Sequence, residues 1–324
     1  MPSFAKPRVY FSRCLGFEAC RWNGVTITSE VAEQLKKHVE AVHDCPEAGI
    51  GLGIPRKPVR VVLDESKENY LLFQPETGLF FTDEMEAYIR EVLDGLGEVD
   101  GFLLKGRSPT CGLRDVNIYH GAKKTGVRGK ASGLLGRMVL ERYPHLPAED
   151  EGRLTNFQLR DRFFTRIFTL AEMRRVASSA TMAKLVKFHA KHKLLLMAAH
   201  QTEMRRMGKL VANHDKLPVA EVMSQYQAAL QHALAAAVRR PAVINVLLHA
   251  FGYFKKVLTA REKARFLDML EEYREGSTPL VAINSVLESW IERTDDAYLR
   301  QQSFFAPYPK ALRDLTDTGK GRDY

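Results

Sequence analysis

The sequence predicts an α/β N-terminal domain, a mostly parallel sheet flanked by helices, followed by an all-α domain. Three observations predict it. Short β-branched and aromatic runs alternate with helix-periodic segments over the first 150 residues. Beyond them, apolar residues recur at three- and four-residue steps almost without interruption. The +9 formal charge also belongs to that second stretch: residues 1–150 carry 20 Lys/Arg against 21 Asp/Glu, and residues 151–324 carry 28 against 18.

Taken in order, Arg8–Ser12 reads as a strand ending near Cys14. Glu30–Val42 has helical spacing, with Val31, Leu35, Val39 and Val42 on one face, and ends just before Cys45. Val59–Leu63 is a β-branched run, and Thr82-Asp83-Glu84 starts a helix that continues to about Leu96. Gly101–Leu104 reads as a strand feeding a loop, Ser108 to Gly112. Tyr143–Gly152 combines two prolines, an acidic run and a glycine, which places a domain connection between residues 145 and 155, with domains at 1–150 and 151–324. Leu154–Val176, Ala180–Arg206, Val219–Val238, Pro241–Val257, Thr259–Arg274 and Leu280–Arg293 then read as helices. Only Asp317–Tyr324 is simple enough in composition to read as unstructured.

With 45% hydrophobic residues the chain can build ordinary cores, and no apolar run approaches the roughly 18 residues that span a bilayer. The start of the chain lacks the apolar stretch of a secretory signal, and four cysteines in 324 residues do not make a disulfide scaffold. The expectation is a soluble cytoplasmic protein. Gly49-x-Gly51-x-Gly53 does not match a dinucleotide fingerprint or a triphosphate loop, so no nucleotide cofactor is expected.

Three of the four cysteines stand in short turn-forming loops: Ser12-Arg13-Cys14-Leu15-Gly16, Asp44-Cys45-Pro46-Glu47 and Ser108-Pro109-Thr110-Cys111-Gly112. Each follows a strand or a helix–strand junction, and ligands of open α/β sheets collect beyond the carboxyl ends of strands. Thiolates converging from three loops suit a metal or an iron–sulfur cluster and leave a coordination position open. No C-x-x-C pair exists, which argues against a zinc ribbon and a thioredoxin-like pair. Cys20 reads as a buried thiol or a fourth ligand, the former favoured because Ala19 and Arg21 form no turn signature. Glu47 and Ser108, beside two of the thiols, are able to move protons. Their ordinary alternatives are a helix cap and a bond to a backbone amide.

These segments, with Arg21-Trp22-Asn23-Gly24 and Cys45-Pro46-Glu47-x-x-Ile50-Gly51-x-Gly53-x-Pro55-Arg56, resemble the signature of the TudS-like thiouracil desulfidases over residues 8–145. The basic half resembles the YbgA-type domain, around Phe188-His189-x-x-His192-Lys193-x-Leu195-Leu196-Met197-Ala198 and Pro307-Tyr308-Pro309. Together they resemble the RudS-type tRNA 4-thiouridine desulfidases. The resemblance implies a 4Fe-4S cluster held by Cys14, Cys45 and Cys111, with Glu47 as acid/base and Ser108 as active-site serine. Cys20 departs from it, standing where relatives carry an aliphatic residue. The implied reaction is hydrolytic loss of sulfur from 4-thiouridine at the open iron, giving uridine and hydrogen sulfide.

A basic excess confined to one domain is the footprint of a polyanion binder, and thiolated tRNA is the expected partner. Lys184, Lys187 and Lys191 share a helical face, with Lys193, Arg205 and Arg206 further on. Lys123, Lys124, Arg128 and Lys130 form a glycine-spaced loop able to meet phosphate near the target base. His189 and His192 are three apart on a helix, a spacing better suited to packing or phosphate contact than to a metal without a third ligand. Two rivals stand beside this reading: desulfidation of free thiouracil or a thionucleotide, and a cluster-bearing redox sensor that binds nucleic acid without turnover.

Overall fold

The computed structural model describes residues 4–313 apart from residues 65, 67, 68 and 123, and of Lys124 and Thr125 it describes the backbone alone. Asp317–Tyr324 and Lys123 therefore lie outside the described residues. The chain forms two compact units, one of residues 1–172 with the segment from Pro309, the other of Met173–Tyr308.

In chain order the first unit contains β1 (Arg8–Ser12), α1 (Glu30–Lys36), β2 (Glu40–Asp44), α2 (Pro46–Gly49), β3 (Arg60–Leu63), β4 (Tyr70–Gln74) and β5 (Leu79–Phe80). It continues with α3 (Thr82–Gly95), β6 (Gly101–Leu104), β7 (Val116–Gly121), β8 (Lys124–Ala131), α4 (Leu134–Arg142) and β9 (Ala148–Asp150), and the start of α5 (Phe157–Ser178). One sheet is parallel throughout, in the order β2-β1-β6-β9. Its central strands β1 and β6 are apolar and buried almost residue by residue, as a strand covered on both faces must be. The edge strands β2 and β9 carry the charges that discourage further pairing. A second sheet, β5-β4-β3-β7-β8, is antiparallel except between β3 and β7. One core is shared by Tyr10, Phe102 and Leu104 of the first sheet, Val61 and Ile118 of the second, Met85, Ile89 and Leu93 along one stripe of α3, and Leu135 and Val139 of α4.

Three expectations need correction. The helix expected over Glu30–Val42 stops at Lys36, and Val42 instead pairs in β2 opposite Tyr10. Apolar residues three apart fit a helix face and a strand equally over so short a window, and the parallel pairing with β1 decides. The glycine-spaced segment read as a loop is β8, paired with β7, with register shifts that bend it. The stretch expected to connect domains contains β9, and the two compact units divide within α5.

The third correction lies in the second unit, which contains α6 (Met182–Ala212), α7 (Val219–Ala235), α8 (Arg240–Gly252), α9 (Ala260–Glu275), α10 (Leu280–Thr294) and α11 (Ala297–Arg300). The long helix expected over Ala180–Arg206 is broken at His200, where φ is −160° and ψ 95°. The imidazole Nδ1 accepts from the Glu203 amide at 3.3 Å, so His200 caps a second helical segment. His189 and His192 are packed: one Nδ1 lies 3.0 Å from the Tyr226 hydroxyl, the other 2.7 Å from Ser303 Oγ. Among the described residues no single helix is long and apolar enough to cross a membrane.

Candidate active site

Parallel pairing fixes where the thiols stand. Ser12 of β1 is in register with Asp44 of β2, so Cys14 and Cys45 both emerge just past the carboxyl ends of adjacent strands. β6 ends beside them, and the Lys105 amide donates to Ser12 Oγ at 2.9 Å, tying the start of the third loop to β1. That loop is closed by Ser108, whose Oγ accepts from the Thr110 and Cys111 amides at 3.2 and 3.1 Å. The first amides of α4 take up the loop's carbonyls: Leu135 donates to the Thr110 carbonyl at 2.9 Å and Gly133 to that of Gly112 at 2.8 Å. An approach this close requires glycine, since a Cβ on Gly136 would stand 2.1 Å from the Gly112 carbonyl oxygen.

All four cysteines are free thiols and buried. Cys14, Cys20 and Cys45 form one cluster lined by Ile27 and Ala48. Cys111 lies within electrostatic reach of Cys45 and Glu47. Their pKa values rise for identifiable reasons. Donation of the Cys20 proton toward Cys14, together with burial, pushes Cys20 up to about 11, against Cys45, which lowers it. The Cys20 thiol and burial raise Cys45, against the opposing Ala48 amide. Burial pushes Cys111 up to about 12, with the Ser12 and Ser108 hydroxyls pulling the other way. Sulfurs so placed ionise readily only beside a cation, as ligands of a soft metal do. Two more buried polar atoms, the Tyr10 hydroxyl and Asp44 Oδ2, have no hydrogen-bond partner among the described residues. Tyr10 also feels Cys111 and Cys45, and its pKa is raised mainly by burial. This donor set fits a thiolate-held centre. No three His, Cys, Asp or Glu side chains among the described residues are arranged around a single metal ion, whereas the thiolates of a cluster sit on separate irons.

Glu47 is buried at the first turn of α2 and held at both carboxylate oxygens. Arg56 donates to Oε2 from Nε at 2.9 Å and from Nη2 at 2.7 Å, and Thr110 Oγ1 donates to Oε1 at 2.9 Å. Arg56 also donates to the carbonyl of Cys20 at 2.9 Å and lies 3.9 Å from Cys45 Sγ. The hydroxyl that meets Glu47 is that of Thr110, one residue before Cys111, while Ser108 shapes the loop. Thr110 and Arg56 both lie inside the quoted motifs, but nothing in their spacing assigns them to Glu47.

Of the basic residues, Arg128 and Lys130 are exposed on β8, which also carries Lys124. Lys184, Lys187 and Lys193 are exposed on the first segment of α6, and Lys191 is half-buried. Arg205 and Arg206 are exposed beyond the break at His200, so they do not continue the same stripe.

Comparison with known proteins matches two separate stretches of the chain. Residues 9–151 match the family model of 2-thiouracil desulfurase, and residues 193–309 match a family described as a protein of unknown function, DUF1722. The chain is 28% identical over 154 residues to the uncharacterized protein YbgA of Escherichia coli K12, covering 47% of this chain and 91% of that one. It is 27% identical over 125 residues to the uncharacterized protein YbbK of Bacillus subtilis 168, covering 36% of this chain and 83% of that one. Among solved structures, the [4Fe-4S]-dependent thiouracil desulfidase TudS is similar at 25% identity and a TM-score of 0.37, over 46% of this chain and 93% of that one. The match of residues 9–151 to the 2-thiouracil desulfurase model supports a desulfidase that cleaves a carbon–sulfur bond.

Proposed function

We propose that this protein is a tRNA desulfidase that converts 4-thiouridine to uridine by hydrolysis and releases hydrogen sulfide. The observation that carries the reading is the lodging of one buried carboxylate, held by Arg56 and Thr110, between the Cys45 and Cys111 loops. Cys14, Cys45 and Cys111 would hold a 4Fe-4S cluster. When bound, the cluster supplies a thiophilic iron that draws electron density from a thiocarbonyl carbon.

A carboxylate offers roughly four lone-pair directions, and three donors occupy most of them, leaving Glu47 about one for a water. Through it Glu47 takes a proton as water adds to the carbon. Glu47 returns that proton to the sulfur, then takes the proton of the added hydroxyl as the carbon–oxygen bond becomes the carbonyl and the carbon–sulfur bond breaks, and passes it to the departing sulfur. Water supplies both protons of the hydrogen sulfide, and no electron is gained or lost overall. Thr110 keeps the carboxylate turned to the loop, and Ser108 holds the Cys111 backbone in place.

RNA supplies the role for the basic surface. Lys124, Arg128 and Lys130 on β8 and Lys184, Lys187, Lys191, Lys193, Arg205 and Arg206 on α6 are the proposed phosphate contacts. A thiolated base inside a folded tRNA has to be exposed before it reaches buried thiols. Free 2-thiouracil is the second reading, favoured by the family model's description. Anaerobic incubation of the reconstituted protein with thiolated tRNA, and separately with free 2-thiouracil, tests both. Loss of the thiouridine absorbance with sulfide release from tRNA supports the first, turnover of the free base alone supports the second, and tRNA binding without loss removes the enzyme reading.

A further inference from the structure

The site gathers four sulfurs where the proposed centre needs three, and the fourth comes from an unexpected place. Between Gly16 and Glu30 the chain runs along the surface, with Glu18, Ala19, Trp22, Asn23 and Val25 exposed. Cys20 is the single buried residue of this run and is fully covered. Its turn is held on both sides: the Cys20 amide donates to the Glu18 carbonyl at 2.8 Å, and Gly24, at φ +73°, donates to Arg21 at 2.9 Å. The Cys20 carbonyl accepts from Arg56 at 2.9 Å and from the Cys45 thiol at 3.7 Å. Arg56 therefore grips both the proposed base and the backbone that carries this sulfur. A structural cysteine buries its sulfur among apolar side chains. This one packs against two other thiols, those of Cys14 and Cys45.

We propose that Cys20 is a fourth thiolate for the centre held by Cys14, Cys45 and Cys111, closing the open coordination position until a substrate sulfur displaces it. The proposal rests on the cluster reading of the site. Ligation requires only that the thiol give its proton to solvent, and displacement takes one back, so no electron is transferred. Exchange of one soft sulfur donor for another is nearly balanced, whereas water, a hard donor, competes poorly for the same iron. The cap thus shields the iron without barring a thiocarbonyl.

The test uses the full chain, reconstituted anaerobically with iron and sulfide, reduced, and titrated with cyanide while its electron paramagnetic resonance is recorded. The wild-type spectrum is expected to need at least about tenfold more cyanide to move than that of Cys20→Ala, a difference of about 1.4 kcal/mol. Cys20→Ser, which keeps the volume with a poorer ligand, is expected to fall between them, and it carries the comparison should the alanine variant fail to fold. Equal cyanide response at equal iron content overturns the proposal and leaves the cluster reading standing. Wild-type protein that takes up neither iron nor sulfide overturns both.

Discussion

Glu47 and Arg56 form an ion pair at the thiol site held largely away from water, with side chains 12% and 3% exposed. A buried pair of this kind is costly to break on one side only, because the survivor is left uncompensated. Arg56→Met is expected to cost roughly 3–5 kcal/mol of stability, read by denaturant unfolding. Glu47→Gln keeps the shape and the Thr110 contact and removes the base. Its desulfidation rate is expected to fall about 10²–10⁴-fold while iron content matches wild type. Full turnover in that variant removes Glu47 from the mechanism. At this scale the sequence made the cysteine loops legible, because glycine and proline beside a thiol announce a turn. The partners of Glu47 were not legible, since Thr110 lies 63 positions away and only folding brings it to the carboxylate.

Among the elements, α4 is the one whose position decides the geometry of Cys111. Its first turn packs directly on the backbone of the Cys111 loop, and Gly136 makes that approach possible. Gly136→Ala is expected to push the loop aside, costing about 1–3 kcal/mol and lowering iron uptake on reconstitution. Wild-type loading in this variant would show that the loop yields without moving its thiol. At the edge of the parallel sheet, burial raises the Asp150 carboxyl of β9 from 3.8 to about 6, against a bond from the Arg153 amide. The folded state therefore favours the protonated form, so this contribution to stability is full below pH about 4 and lost as pH rises through about 6. Asp150→Asn is expected to flatten that slope by roughly 3 kcal/mol between pH about 4 and 7, measured by urea unfolding at each pH. The helices of the second unit were legible from their period alone. The Glu30–Val42 segment was not, because the choice between helix and strand is made by β1.

For the molecule as a whole, charge is the property that separates the two halves, near −1 in one and +10 in the other. If the basic half binds tRNA phosphates, affinity is expected to fall steeply with salt, by about 0.7–0.9 in logarithmic slope for each phosphate neutralised. Lys184→Ala with Lys187→Ala should lower that slope by roughly 1.5, whereas binding unchanged near 0.5 M salt would remove the electrostatic reading.

The sequence by itself determined that an α/β half precedes a helical half, which loops present thiols and which half carries positive charge. Periodicity, turn chemistry and composition are local quantities, written within a few residues of where they act. Only the tertiary structure decided that Cys20 faces Cys14 and Cys45, that Thr110 and Arg56 share one carboxylate, and that two sheets rather than one enclose the core. Those are contacts between residues far apart in the chain, and they exist only once strands have paired in register and buried side chains have competed for the same space.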